Sequence, residues 1–344
     1  MENKIGFNNE KYFSAQLKAI RARVNKFDKL YLEIGGRLTF DGHASRVLLG
    51  YNPKNKINIL KALGKDLGVL YCISAIELEK EHDHHYGWSD TKMKVDELAL
   101  KEIEELEREG IKVIGIVATR FSGQENALKF KEKLHNLGRE LYFTKTIKGY
   151  PHNFNNVFGK KGFDAQEMVP TNQKIIGVTG AGANSGKMFF CLSQVYHEEK
   201  RGVSAGYAKL ETFPIWNLPL THEVNVAYEA ATADIGDVIM IDPFHKKAHN
   251  IIAVNYNRDI ENFYILKRII QRIVPKSNFM QTYKSPTDMG MNMAKYGIVD
   301  DKVCKRAGRE EILRRNEFYS KALKNSKRKE TLKRMKELLK KISG

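Results

Sequence analysis

The chain has 344 residues, 42% hydrophobic and 29% charged, enough for two soluble domains of ordinary size with sizeable cores. It has no apolar run of membrane-spanning length, and the N-terminal Glu2, Lys4 and Glu10 lack the order of a secretion signal. The three cysteines, Cys72, Cys191 and Cys304, are scattered, which excludes a disulfide framework and predicts a reducing, cytoplasmic setting.

In chain order, Phe13, Leu17, Ile20 and Val24 line one face of an opening helix over 9–26. Lys29 to Ile34 is a short strand that ends at Glu33, Gly35 and Gly36. Glycines after a strand let backbone approach a ligand, so His43, Ser45 and Arg46 in the following loop are candidates for an anion or substrate contact. Gly68 to Ser74 is a second strand. The charged segment after it holds His82, Asp83, His84, His85 and Tyr86. Neighbouring donors on one segment seldom converge on one ion, so a polar loop is expected and zinc is the lesser reading.

Val95 to Arg108 is a helix stopped by Gly110, Lys112 to Thr119 a strand, Gln124 to Leu137 a helix closed by Gly138, and Glu140 to Phe143 a strand. This alternation predicts a mainly parallel sheet covered on both faces. A linker from Gly149 to Asn156, and the Gly/Lys-rich stretch up to Pro170, then predict a domain boundary near 150–172.

The apolar run Ile175 to Val178 leads into Gly180-Ala181-Gly182-Ala183-Asn184-Ser185-Gly186-Lys187-Met188, a strand, glycine turn and helix in that order. Such a junction points unpaired backbone N–H groups and the positive end of a helix dipole at one spot, and Lys187 adds a full charge. Gly182, Ser185, Gly186 and Lys187 are therefore expected to hold phosphate, most simply that of ATP or another nucleotide. The pattern departs from the usual phosphate loop, with Ala181 at the first glycine position and Met188 where a magnesium-holding hydroxyl would follow the lysine. A plain strand-to-helix turn is the alternative.

Ser204 to Lys209 is a further strand, and the Pro- and aromatic-rich segment Glu211 to Leu220 an ordered wall. Val224 to Thr232 is a short helix. Asp237 to Ile241 is a strand that delivers Asp242, followed by Pro243-Phe244-His245, and a carboxylate at such a strand end makes Asp242 the magnesium candidate. Arg258 is positioned by residue type to stabilise phosphoryl oxygens, while Asp259, Asp288 and His245 are candidate bases. From Lys302 to Gly344, 16 Lys and Arg stand against 5 Glu, so +11 of the formal +17 sits at the end of the chain. Apolar residues at helical spacing there predict one or two basic amphipathic helices, with a solvated face expected and nucleic-acid binding not.

Several stretches together resemble the bacterial uncharacterised protein family 0371: Tyr31 to Gly36 with His43 to Leu48, Ile147 to Pro151, Ser185 to Met188 with Cys191 to Gln194, Glu211 to Leu220, Ile241 to His245, Asn255 to Asp259, and Ser285 to Gly290. The resemblance runs from about residue 28 to about residue 320. It implies that methionine after the lysine is a family habit, that the family's turn is richer in proline and glycine than this one, and no established reaction. The family's members run longer into a C-terminal region; if that region completes the site, this chain is expected to be a fragment or a variant that binds without turnover.

The expected fold is α/β, with two mainly parallel-sheet units over 1–150 and 151–300, the second carrying the P-loop-like strand–turn–helix, and a basic helical tail over 301–344. The expected function is binding of a nucleotide or other phosphorylated small molecule, with magnesium-dependent phosphoryl transfer or hydrolysis as the reaction class and a non-catalytic ligand-binding or scaffold role as the alternative. Lys187, Arg258, Asp288 and His245 would carry the chemistry, Gly182, Ser185, Gly186, Lys187, Arg46 and His43 the ligand, and Asp242 the metal. A homo-oligomer is compatible with this reading; a membrane partner is not.

Overall fold

The computed structural model describes residues 5–80, 84–85, 92–182, 185–322 and 325–342. Its first half runs α1 (Asn9–Val24), β1 (Lys29–Ile34), α2 (Gly42–Val47), α3 (Asn55–Leu63), β2 (Leu67–Ser74), α4 (Ala75–Leu78) and the short pair β3 (His84–His85) and β4 (Lys92–Met93); α1, β1 and β2 follow the apolar periodicity, whereas α2 is a helix where a loop was expected and α3 and α4 were not expected. Then come α5 (Val95–Arg108), β5 (Val113–Phe121), α6 (Glu125–Asn136), β6 (Leu141–Lys145) and α7 (Phe154–Val157). Of the clustered histidine segment, His82, Asp83 and Tyr86 lie outside the described residues; the backbone of His84 and His85 pairs with Met93 and Lys92.

The second half continues with β7 (Ile175–Gly180), α8 (Lys187–Lys200), β8 (Ala205–Leu210), α9 (Glu223–Ala231), β9 (Ile239–Ile241), α10 (Pro243–His249) and β10 (Val254–Tyr256). It closes with α11 (Asn257–Ile273), α12 (Pro286–Met289), β11 (Gly290–Met291), α13 (Asp301–Ala322) and α14 (Asn325–Lys341).

The strands on either side of residue 150 share one sheet. Its order is β11-β8-β1-β7-β2-β5-β6, and every neighbouring pair is parallel. β7 inserts between β1 and β2, so the linker near 150–172 joins two stretches that are hydrogen-bonded edge to edge. β1 and β2 are almost wholly buried, as befits strands covered on both faces. The connection from β1 to β2 and that from β7 to β8 leave the central β1/β7 pair in opposite directions, so right-handed crossovers carry α3 and α8 to opposite faces. α1 packs on α3, and α11 packs on α8. Where the strand order reverses in this way, the carboxyl ends of the strands part into a crevice.

The basic C-terminal segment forms two helices, as its periodicity predicts, and both dock on the body. α13 packs along α9 and against α2, and α14 buries Met335 and Leu338. Two buried glutamates anchor them. Glu229 on α9 accepts hydrogen bonds from Arg334 and Lys341, and Glu311 on α13 meets His43, Arg46, Arg314 and Arg315. Among the described residues, no helix is long and apolar enough to cross a membrane.

Candidate functional site

β7 delivers its glycine turn to the crevice. A Cβ at Gly180 would stand 2.1 Å from the Cys72 carbonyl oxygen, so β7 can lie this close to β2 only with glycine there. Gly186 has φ +74° and a Cβ on it would meet Thr119 Oγ1 at 2.7 Å; left-handed backbone and lack of space both demand glycine at the start of α8. The turn is held shut by Thr119, whose hydroxyl donates to Ser185 O (2.8 Å), and by Ser185, whose hydroxyl donates to Gly182 O (2.9 Å).

Lys187, the first residue of α8, is 8% exposed and folds back over the turn, its ammonium donating to Gly182 O (3.0 Å) and Ser185 Oγ (3.1 Å). Gly182, Gly186 and Lys187 line a cavity of about 890 Å³ across the carboxyl ends of β1, β2, β5, β7 and β8, and Ser185 braces the turn from behind.

Several cations line the cavity. Arg120 and Lys145, at the ends of β5 and β6, join Lys187 there, and among the described residues no acid forms an ion pair with either. Arg120 also holds φ +56°, a left-handed conformation costly for a residue with a side chain and frequent where a backbone is held for function.

Around Lys209 the lining alternates in charge. Lys209, in fully buried β8, donates to Asp259 Oδ1 (2.6 Å) and lies 3.8 Å from Glu211 Oε1. Burial alone would lower the Lys209 ammonium, but Asp259, Glu211 and Glu33 outweigh it and hold the pKa above its ordinary value. Burial pushes Glu211 up; Lys209 offsets part of that, Asp259 and Glu33 add to it, and the carboxyl rises to about 7. Tyr207 donates to Glu33 Oε2 (2.6 Å). Arg258 lies over the ring of Tyr256 and pairs with Asp237 Oδ1 at 3.3 Å, leaving the buried Asp237 Oδ2 without a hydrogen-bond partner among the described residues. Burial also raises the Asp237 carboxyl.

Of the residues singled out from the sequence, Gly182, Gly186, Lys187, Arg258 and Asp259 line this cavity, with Ser185 behind them. Five others lie elsewhere. His43 and Arg46 on α2 are spent on Glu311, at 3.0 Å each, and fasten α13 to the body. Asp242 is the N-cap of α10: its Oδ1 accepts from the N–H groups of Phe244 and His245 (3.0 Å each), and its Oδ2 from the Thr287 hydroxyl (2.7 Å). The strand before it, β9, pairs antiparallel with β10 and stands outside the main sheet, so Asp242 is not delivered beside the phosphate turn as expected. His245 and Asp288 do come together, through Ser285 and His249, but neither lines the cavity.

The sequence reading missed Thr119, Arg120, Lys209, Glu211 and Asp237 as site residues and had named Asp259 only as a candidate base. One signal was available: lysine inside the otherwise apolar stretch 205–210, with an acid two residues on, needs a buried partner.

Seven parallel strands with a charged crevice at their carboxyl ends, and a glycine turn opening onto it, define an open-sheet α/β protein. The chain belongs to the DUF1846 family: the family described as "Domain of unknown function DUF1846, N-terminal" matches residues 5–343. It is similar to the UPF0371 protein of Clostridium tetani (strain Massachusetts / E88), 46% identical over 312 residues, which cover 91% of this chain and 61% of that one. The UPF0371 protein of Clostridium botulinum (strain ATCC 19397 / Type A) matches to the same extent, and that of strain Alaska E43 / Type E3 at 45% identity. The chain thus spans 61% of the length of these relatives.

Proposed function

We propose that the crevice binds a phosphorylated small molecule, with its phosphate on the turn from Gly182 to Lys187. One observation carries this reading: the N-terminus of the 14-residue helix α8 and the Lys187 ammonium converge on a glycine turn that opens into a cavity of about 890 Å³. Without ligand, Lys187 satisfies itself on the turn's own oxygens, and a phosphate would exchange those neutral acceptors for charged ones. Arg120 and Lys145 add cations to the lining. Asp237 Oδ2 offers an unused acceptor to a hydroxyl or amine at the ligand's other end, which suits a nucleotide or sugar phosphate. Buried, unpaired cysteines go with a cytoplasmic setting.

Turnover is the finer form of this reading. Glu211, poised near neutrality, is favoured over His245 and Asp288 as a proton acceptor because it lies in the cavity. Arg258 would stabilise charge on the reacting group. With Asp242 committed to capping, any magnesium would arrive with the nucleotide's phosphates. A ligand-binding role without chemistry is the alternative, and heat stabilisation without phosphate release would favour it.

The test is a thermal-shift screen with magnesium against ATP, GTP, their diphosphates, sugar phosphates and inorganic phosphate, beside Lys187→Ala and Lys187→Met. A phosphorylated ligand is expected to raise the melting temperature. Removing a charged hydrogen-bond donor, worth about 1.5–3 kcal/mol, should weaken binding roughly 10- to 150-fold in both variants while circular dichroism stays native. An equal shift in wild type and variants, or none with any phosphate, would overturn the proposal.

A further inference from the structure

His245, His249 and Asp288 form a second cluster, outside the cavity. His245 and His249 stand four residues apart on α10 and so share one face, with ring centroids 4.5 Å apart. α12 presents Asp288 to that face. Asp288 Oδ1 lies 3.0 Å from His249 Nε2 and 3.5 Å from His245 Nδ1, and one ligand atom from each residue falls within 4.8 Å of the others.

Zinc bonds of about 2.0–2.2 Å to nitrogen and oxygen place the ligands of a tetrahedral site roughly 3.3 Å apart, and the two spacings to the carboxylate bracket that value. The surroundings hold the donors in place. Asp288 Oδ2 accepts from the N–H groups of Lys284 (2.8 Å) and Ser285 (3.1 Å), which fixes the carboxylate; Oδ1 faces both histidines, and Oδ2 also lies 3.1 Å from His249 Nε2. Ser285 Oγ accepts from the N–H of Asp288 and lies 2.9 Å from His245 Nδ1, a hydrogen bond that a metal ion on that nitrogen would replace. Asp242, capping α10 and bonded to Thr287 of α12, fixes the two elements that carry the ligands. His249 is 34% exposed at its side chain, so one approach is open to water.

We propose that His245 Nδ1, His249 Nε2 and Asp288 Oδ1 bind a divalent transition-metal ion, zinc by the chemistry of its two nitrogens and one carboxylate oxygen, with the fourth position left to water. The ion joins α10 to α12, which leads directly into edge strand β11, so its first effect is on that wall of the fold.

The experiment is calorimetric titration of the chelator-stripped full chain with zinc, paired with cobalt(II) as a visible-absorption probe. The variants are His249→Ala, at the exposed position, and His245→Gln. One equivalent of zinc and the intense visible bands of four-coordinate cobalt are expected. Both variants should lose more affinity than the roughly 10- to 100-fold that outer-ligand changes alone cause, while keeping a native circular dichroism spectrum. No binding of either metal, or binding that persists unchanged in His249→Ala and so belongs to other histidines, would overturn the proposal.

Discussion

Glu311 and Glu211 are both glutamates with little exposure, and their surroundings take them in opposite directions. Burial would raise the Glu311 carboxyl, but hydrogen bonds from His43 and Arg314, joined by Arg46, hold it well below the usual carboxylate range. His43, itself lowered by burial, is neutral near pH 7, so the arginines answer the charge. At Glu211 the balance reverses: two further carboxylates, Asp259 and Glu33, share the Lys209 cation with it. Where cations outnumber the acid, its charge is fixed and serves the fold. Where acids outnumber the cation, one proton remains labile, and a labile proton in a cavity is what chemistry requires.

The strongest way to break this contrast is Glu311→Ala. It removes the acid on which α2 and α13 converge and leaves Arg46, Arg314 and Arg315 crowded around a gap, as costly as breaking a buried ion pair, about 3–5 kcal/mol. Urea unfolding at pH 7 should register the loss. The pH dependence has a definite sign. A depressed folded-state pKa gives stability that is present above the unfolded glutamate value of about 4.3 and is lost as pH falls below it. Wild type should therefore lose stability over that acid range more steeply than the variant. Equal slopes would mean that the glutamate is not held ionised by its arginines.

Glu211→Gln sharpens the other half. A carboxyl raised to about 7 in the folded protein favours folding when protonated, so stability falls as pH climbs from the unfolded value through 7. The groups facing it are Lys209, Asp259, Glu33 and Arg258, and the glutamine keeps their packing while removing the titration. The variant should gain about 1–3 kcal/mol over wild type at pH 8 and almost nothing at pH 5. Phosphate-ligand affinity, weakened in wild type above pH 7 by the extra negative charge, should lose that pH dependence. A variant less stable than wild type at pH 8 would show that the Lys209 ion pair, and not proton release, governs this residue.

The same contrast explains what could be seen in the sequence. The glycine turn and most of the strands and helices expected from the sequence are local patterns and lie within a residue or two of their expected bounds: β8 spans Ala205–Leu210 where Ser204 to Lys209 was expected, while α2 replaces an expected loop and α3 and α10 were not expected. The insertion of β7 between β1 and β2 is a pairing across more than a hundred residues, and no local period encodes it. His43 and Arg46 looked available because their partner, Glu311, stands 268 and 265 positions away. Lys209, Glu211 and Asp259 meet only when β8 and the start of α11 pack together. Asp242 is different, since an acid followed by proline is a local cap signal, and attention to the strand before it obscured the helix after it.

Asp242 is a third kind of buried carboxylate, satisfied by neutral donors instead of cations, and it gives the smallest expected effect. Asparagine caps helices about as well as aspartate, and one carbonyl oxygen can still accept from the N–H groups of Phe244 and His245. Asp242→Asn should cost less than about 1 kcal/mol in urea unfolding, whereas Asp242→Ala, which loses the cap and strands the Thr287 hydroxyl, should cost about 2 kcal/mol. Neither should alter phosphate-ligand binding in the crevice, because Asp242 does not line it. A magnesium ligand would differ in binding: asparagine would keep near-normal stability but lose magnesium-dependent binding. That outcome would return Asp242 to the site and require the crevice to extend beyond the wall formed by β8 and α11.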